Sequence, residues 1–360
     1  MTIWFRSDSQ GRPAVRTLSV SGSVPRDVRE GTTARWAIPA TLCAAAGWAY
    51  VSGVLTGRPW GQAVGVLLGS GAAFVVAEIV STKRPLVAPT VVVALVGVMA
   101  LASVDQLLAR RPIGGPLGYT NADAALFVQA AIAGLLIAMR VRNTGVRILA
   151  MCAAGGFGLA TVLSGSLAGD VLLAVVVVAT VLSRIGRIPV TLWILRSMFV
   201  AMLLTTVLLG ASYEQGSMVK GAVVEELSER RLVLWRDAID LLRAHPLLGV
   251  GPGGFQVYSP TARSDIDARW AHHEFLQFGA ETGVPGMVLL LAAVALALGS
   301  AHADQATTTG VLGTAAVAAL AIHACVDYVM HFPLVPIVAV TLLGVASGAA
   351  HARRTWGGDD

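Results

Sequence analysis

Three observations predict an all-α polytopic membrane protein with about ten transmembrane helices. Of the 360 residues 55% are hydrophobic and only 13% charged, with a mean hydropathy of +0.72, whereas a soluble domain carries about 25% charged residues. Apolar runs near the ~20 residues that cross a bilayer recur along the chain. Residues 211–283 interrupt them with arginines, carboxylates and paired histidines. That segment is expected to form one large extracytoplasmic loop between the seventh and eighth spans.

Each element follows in order. Residues 1–35 hold six arginines (Arg6, Arg12, Arg16, Arg26, Arg29 and Arg35) and no apolar core of signal-peptide length, which predicts a disordered cytoplasmic tail. Seven spans are expected within 36–210, at about 36–56, 61–81, 86–109, 122–139, 146–163, 167–183 and 190–210. Three more follow the loop, at about 284–300, 307–328 and 332–351, before a short tail over 352–360. No internal repeat of the kind that marks many secondary transporters is visible.

Basic residues set the orientation, because cytoplasmic loops are enriched in Lys and Arg. With the amino terminus inside, fifteen of the 26 Lys and Arg residues fall on inside segments, including Lys83, Arg84, Arg140, Arg142, Arg147, Arg184, Arg187, Arg353 and Arg354. Both termini are then cytoplasmic, in the inner membrane. The same asymmetry explains a net charge of +5 and a pI of about 9.5 without nucleic acid. Cys43, Cys152 and Cys325 lie in apolar runs, where a thiol behaves as a small hydrophobe. They imply no disulfide, metal or cofactor framework.

Topology leaves some arginines unexplained. Arg110 and Arg111 close the third span, and Arg230, Arg231, Arg236 and Arg243 lie in a stretch, 223–243, that reads as an amphipathic surface helix with Arg231 and Trp235 four apart. A guanidinium fork suits phosphate oxygens, which points to a lipid-linked phosphate or diphosphate. The plainer alternative is snorkelling to head groups. His245-Pro246 ends the helix and Gly249-Val-Gly-Pro-Gly-Gly-Phe255 forces a turn-rich path. It lacks the Lys-Ser/Thr of a nucleotide loop, so turn geometry is favoured over a phosphate cradle.

His272, His273 and Glu274 are the sharpest chemical signal. A histidine near neutrality suits activation of a hydroxyl, while a zinc site would need three or four ligands and no distant partners complete one. An ordinary surface histidine is the alternative. Glu281-Thr-Gly283 then leads into Val284-Pro-Gly286, expected as the chain's re-entry into the bilayer. His323 and Asp327 are expected one turn apart on one face of the ninth span, with His331 beyond. Ionisable groups at that depth are expensive and are functional or paired, the pair either serving the site or locking two helices.

The order R-x-x-x-W, H-P-L-L-G-V-G-P-G-G-F, A-H-H-E-F-L-Q-F-G-A-E-T-G-V-P-G and I-H-A-C-V-D-Y-V-M-H-F-P resembles the C-terminal signature of the O-antigen ligase and polymerase family. Gly115-Pro-Leu-Gly-Tyr-Thr-Asn121 resembles a further pattern of it. The resemblance implies a glycosyltransferase that moves a glycan from a polyprenyl-diphosphate carrier to an acceptor hydroxyl on a glycan, lipid or protein, without a metal. It implies His272 as catalytic base and Arg231 as the arginine that engages the diphosphate. Arg110, Arg111, Arg236, Trp235, Glu281, His323 and Asp327 complete the candidate substrate-binding set. His273 stands where the family has Asn, which makes it a second candidate base, and Ser166-Leu167 stands where the family tends to carry Ser-Arg. The competing class is a transporter or flippase of lipid-linked glycans, with a structural scaffold as a third.

Overall fold

A computed structural model describes residues 26–58, 61–109, 115–213, 229–265, 268–299 and 307–356. The described residues form fourteen α-helices and no strand. In chain order they are α1 (Arg26–Leu55), α2 (Gly61–Lys83), α3 (Val87–Ala102), α4 (Val104–Leu108), α5 (Thr120–Arg140), α6 (Thr144–Ser164), α7 (Leu167–Arg184) and α8 (Ile188–Ser212). Then come α9 (Glu229–Ala244), α10 (Phe255–Tyr258), α11 (Pro260–Ser264), α12 (Glu274–Gly299), α13 (Thr308–Ala324) and α14 (Leu334–Trp356). The chain is an all-α polytopic membrane protein. Eight of the described helices are long and apolar enough to cross a bilayer, and α3 and α13 are shorter apolar helices.

Three boundaries differ from expectation. α1 starts at Arg26, so 26–35, expected as disordered tail, is helical; once a turn exists, each further residue adds a hydrogen bond at low cost. The eighth span begins at Glu274 rather than re-entering near residue 284. Helix α13 ends at Ala324, so Asp327 lies in the turn beyond it and not on the helix with His323. Residues 1–25 and 357–360 lie outside the described residues.

Burial sorts the helices. In α5 89% of the apolar window is buried, against 22% in α8, so α5 is a central post while α8 presents Trp193, Leu204 and Leu208 outward, as a lipid-facing surface does. Helix α13 is buried from Gly310 to Ala324 and is rich in Ala, Gly and Thr, residues that let backbones approach in a membrane. At Gly313 a Cβ would sit 2.5 Å from Ala346 Cβ on α14, which fixes that close approach. Its 17 residues span only about 25 Å, so the turn after it is recessed into the end of the bundle.

Helix alternation brings one set of ends together. The start of α2, α5, α7 and α12 and the end of α1, α8 and α13 meet on one face. The opposite face gathers basic residues, where Arg140 donates to Pro85 O and Arg353 to Thr307 Oγ1. The short helices α9 to α11 cover the first face.

Candidate functional site

The covering layer is pinned by its turns. Val284 N donates to Pro246 O (2.8 Å) and Val250 N to Ala280 O (2.9 Å), so the glycine run lies across α12. Gly283 breaks α12 with φ 75° and ψ −178°, a region essentially reserved for glycine, and a Cβ there would meet Leu247 O at 2.2 Å. Trp48 Nε1 on α1 donates to the carbonyl of Thr282 freed by the break (2.7 Å). The run is a turn, as its lack of a Lys-Ser/Thr suggested, and it sets the angle of the half-helix Glu274–Thr282.

Immediately before that half-helix the two histidines diverge. His272 is the one non-glycine residue with positive φ (51°) among the described residues, a conformation uncommon outside glycine that histidine adopts more readily than most. This reversal sends His272 and His273 to opposite sides. His273 is fully buried: its Nε2 lies 2.9 Å from Thr206 Oγ1, and its Nδ1 accepts from Leu276 N (3.3 Å). Because Nδ1 accepts, Nε2 carries the proton. Burial pushes the ring down to about 3, so it stays neutral and is a poor proton acceptor. Its expected share in catalysis is not supported by this placement; it caps α12.

His272 turns to Asp327. Its Nδ1 lies 3.2 Å from Asp327 Oδ1, and Arg231 Nη2 lies 3.4 Å from Oδ2. The carboxylate is 1% exposed, but the histidine and arginine side chains are 17% and 24% exposed, so a ligand can reach the imidazole and the guanidinium and not the carboxylate that holds them. Tyr119 donates its hydroxyl to both carboxylate oxygens (2.9 and 2.8 Å), and Tyr328 N donates to Oδ1 (2.7 Å). Asn121 Nδ2 donates to Oδ2, and its own Oδ1 accepts from Ser166 Oγ (2.6 Å). Burial works to raise the Asp327 carboxyl, but the contacts with His272, Arg231 and His323 outweigh it and hold it at about 2.

Sequence reasoning named none of Tyr119, Asn121, Tyr328 and Trp270 as site residues, although the first three lie in motifs that carry the resemblance. Their signal is polar or aromatic character at the turns that begin α5, precede α12 or follow α13, where an apolar span has no need of it. The His272 ring stands edge-on to Tyr328 with centroids 4.8 Å apart, Tyr328 stacks on Tyr119 at 4.7 Å, and Trp270 lies 6.0 Å from Tyr328. Ser166, followed by Leu167 where the resemblance implies an arginine, caps α7 and braces Asn121.

The remaining candidates fall elsewhere. Trp235 is fully buried and donates Nε1 to His272 O (3.2 Å), so it orients the histidine's backbone and is not placed to touch substrate. Arg236 donates to Ala211 O (2.7 Å) and Asp240 (2.9 Å), tying α9 to the end of α8 away from the cluster. Buried His323 lies under Asp327, close enough to add to its electrostatics. Glu281 joins a second group with Gln277, Glu274 and His331. Arg110 and Arg111 lie outside the described residues. Among the described residues no three His, Cys, Asp or Glu side chains gather as a metal site would require.

Comparison with known proteins bears on what this arrangement is for. No curated protein matches the chain. The family model described as O-antigen ligase matches residues 150–291, a stretch that runs from α6 through the covering layer and both histidines into α12. Over that stretch, less than half of the chain, the sequence is similar to the family described as O-antigen ligase.

Proposed function

We propose that the chain is a glycosyltransferase that moves a glycan from a polyprenyl-diphosphate carrier to an acceptor hydroxyl at the outer face of the cytoplasmic membrane. One observation carries the reading: Arg231 and His272, far apart in sequence, share the buried carboxylate of Asp327 and are both solvent-accessible. Asp327 faces Nδ1 of His272 and so favours the tautomer with its proton there, leaving Nε2 as the acceptor. Catalytic contacts of this kind are often loose before substrate arrives.

In the proposed step the acceptor oxygen bonds to the anomeric carbon as the carbon–oxygen bond to the diphosphate breaks. The hydroxyl proton passes to His272 Nε2, and the electron pair leaves with the diphosphate. Arg231 stabilises the charge that develops on the leaving group, as preorganised cations do for transferring phosphates. No step calls for a metal or cofactor.

The test is transfer from lipid-linked donor, with glycan translocation measured in parallel. His272→Ala is expected to lose about 10²–10⁴-fold in transfer rate, the usual worth of a positioned base, and Arg231→Ala about 10²–10³-fold. Loss of translocation with no transfer activity in the parent protein would favour the flippase reading instead.

A further inference from the structure

Beside the Asp327 cluster is a cavity of about 240 Å³ between the start of α2 and the half-helix Glu274–Thr282. Its mouth holds Trp270, Glu274, Gln277, Glu281 and His331, and its floor is apolar, with Leu67 and Leu290. Trp270 packs its ring 4.0 Å from that of His331 and 6.0 Å from that of Tyr328, which in turn meets His272. The cavity and the proposed base therefore share one aromatic wall.

Its hydrogen-bonding polarity is fixed by the fold. Ala271 N donates to Gln277 Oε1 (2.8 Å), which settles the amide's orientation. Gln277 Nε2 then donates to Glu281 Oε1 (3.2 Å) and to His331 Nε2 (3.3 Å). His331 must accept there, so its proton sits on Nδ1 and is donated to Glu274 Oε1 (2.9 Å). That same oxygen accepts from Met330 N and His331 N, and Glu281 Oε2 accepts from Gly253 N (2.9 Å). The donors of Gln277, His331 and Gly253 are thus engaged. Glu274 Oε2 makes no hydrogen bond within the protein among the described residues and is left to accept from a ligand.

Two carboxyl groups, Glu274 and Glu281, face this cavity and oppose a phosphate, although Trp270 Nε1, the amide of Gln62 and the first turn of α2 also line it. A hydroxyl-bearing ring finds acceptors, and its C–H face can lie on the indole of Trp270. We infer that the cavity is the acceptor site of the transferase proposed above, taking a neutral sugar ring, while the carrier diphosphate is confined to the Arg231 side. The inference rests on that transferase reading for the word acceptor, but its ligand chemistry can be tested without turnover.

The probes are n-octyl β-D-glucoside and n-octyl phosphate, added below their micelle concentrations to the full-length protein in amphipol and followed by saturation-transfer NMR with competition titrations. Wild type should bind the glucoside in preference to the phosphate, and Trp270→Leu should weaken the glucoside at least tenfold. Glu274→Gln keeps an oxygen for the three N–H donors and turns the open position into a donor, so it should weaken the glucoside tenfold and strengthen the phosphate. A misfolded variant cannot produce that inversion. Equal or tighter phosphate binding by wild type, or glucoside binding indifferent to both substitutions, overturns the inference. Glucoside binding that meets these expectations in a protein without transfer activity overturns the transferase reading and the acceptor role, while the sugar site stands.

Discussion

Adjacent histidines with opposite fates show how much one backbone angle decides. At φ 51° His272 is directed to Asp327 and His273 into the packing around Thr206, so a dipeptide that offers two equivalent candidates in the sequence leaves one facing the Asp327 cluster. The pH behaviour of the buried ring follows. Its value falls from 6.5 in the unfolded chain to about 3 in the fold; between those limits the unfolded state binds more protons, so stability is full above about 6.5 and is lost as pH falls toward 3. The melting temperature should therefore drop between pH 6.5 and 4, and drop less steeply in His273→Gln, which has no ring to protonate. Parallel slopes for the two proteins would count against the buried neutral ring. Asp327 is the other single residue on which much converges. Asp327→Asn should cost transfer activity on the scale of the His272 loss, about 10²–10⁴-fold, because it loses the charge that holds His272 and Arg231 and sets an amide donor against Tyr119 and Asn121.

Among the elements, α12 was the least legible in sequence. Residues 274–283 are polar enough, with Glu274, Gln277 and Glu281, to read as loop, and Gly283-Val-Pro285 reads as a boundary. The structure makes them a buried half-helix because their polar groups are satisfied from outside the element, by Gly253 N, Ala271 N and His331. Such long-range partners leave no local trace. Spans such as α5 and α7 were legible, since their apolar length alone dictates helix. The same contrast holds for the site: Arg231, His272 and Asp327 were singled out by charge against an apolar background, whereas Tyr119 and Asn121 joined only because α5 starts beside the end of α13. The break itself is testable. Gly283→Ala should destabilise the protein by about 3 kcal/mol, the upper range for forcing such a conformation on a residue with a Cβ, with the clash at Leu247 O added. Chemical unfolding in detergent would show it, and an unchanged midpoint would mean that the kink does not need glycine.

The whole molecule presents two unlike faces to the two sides of the membrane. One face carries the Asp327 cluster under α9 to α11; the other carries the starts of α3, α6, α8 and α13 and the basic residues around Arg140, Arg147 and Arg187. Lys and Arg concentrate on cytoplasmic loops, so the cluster is expected to face outward, where a lipid-linked glycan would be consumed and no nucleotide sugar is at hand. Ser264, at the end of α11, and Thr144, at the start of α6, are both exposed and lie on opposite faces. In a background with Cys43, Cys152 and Cys325 replaced by alanine, Ser264→Cys should react with a membrane-impermeant maleimide in intact cells. Thr144→Cys should react only after the membrane is permeabilised. The reverse pattern would place the histidine and arginine against the cytoplasm, where the proposed chemistry has no outward-facing donor to act on, and the transferase reading would fail with the orientation.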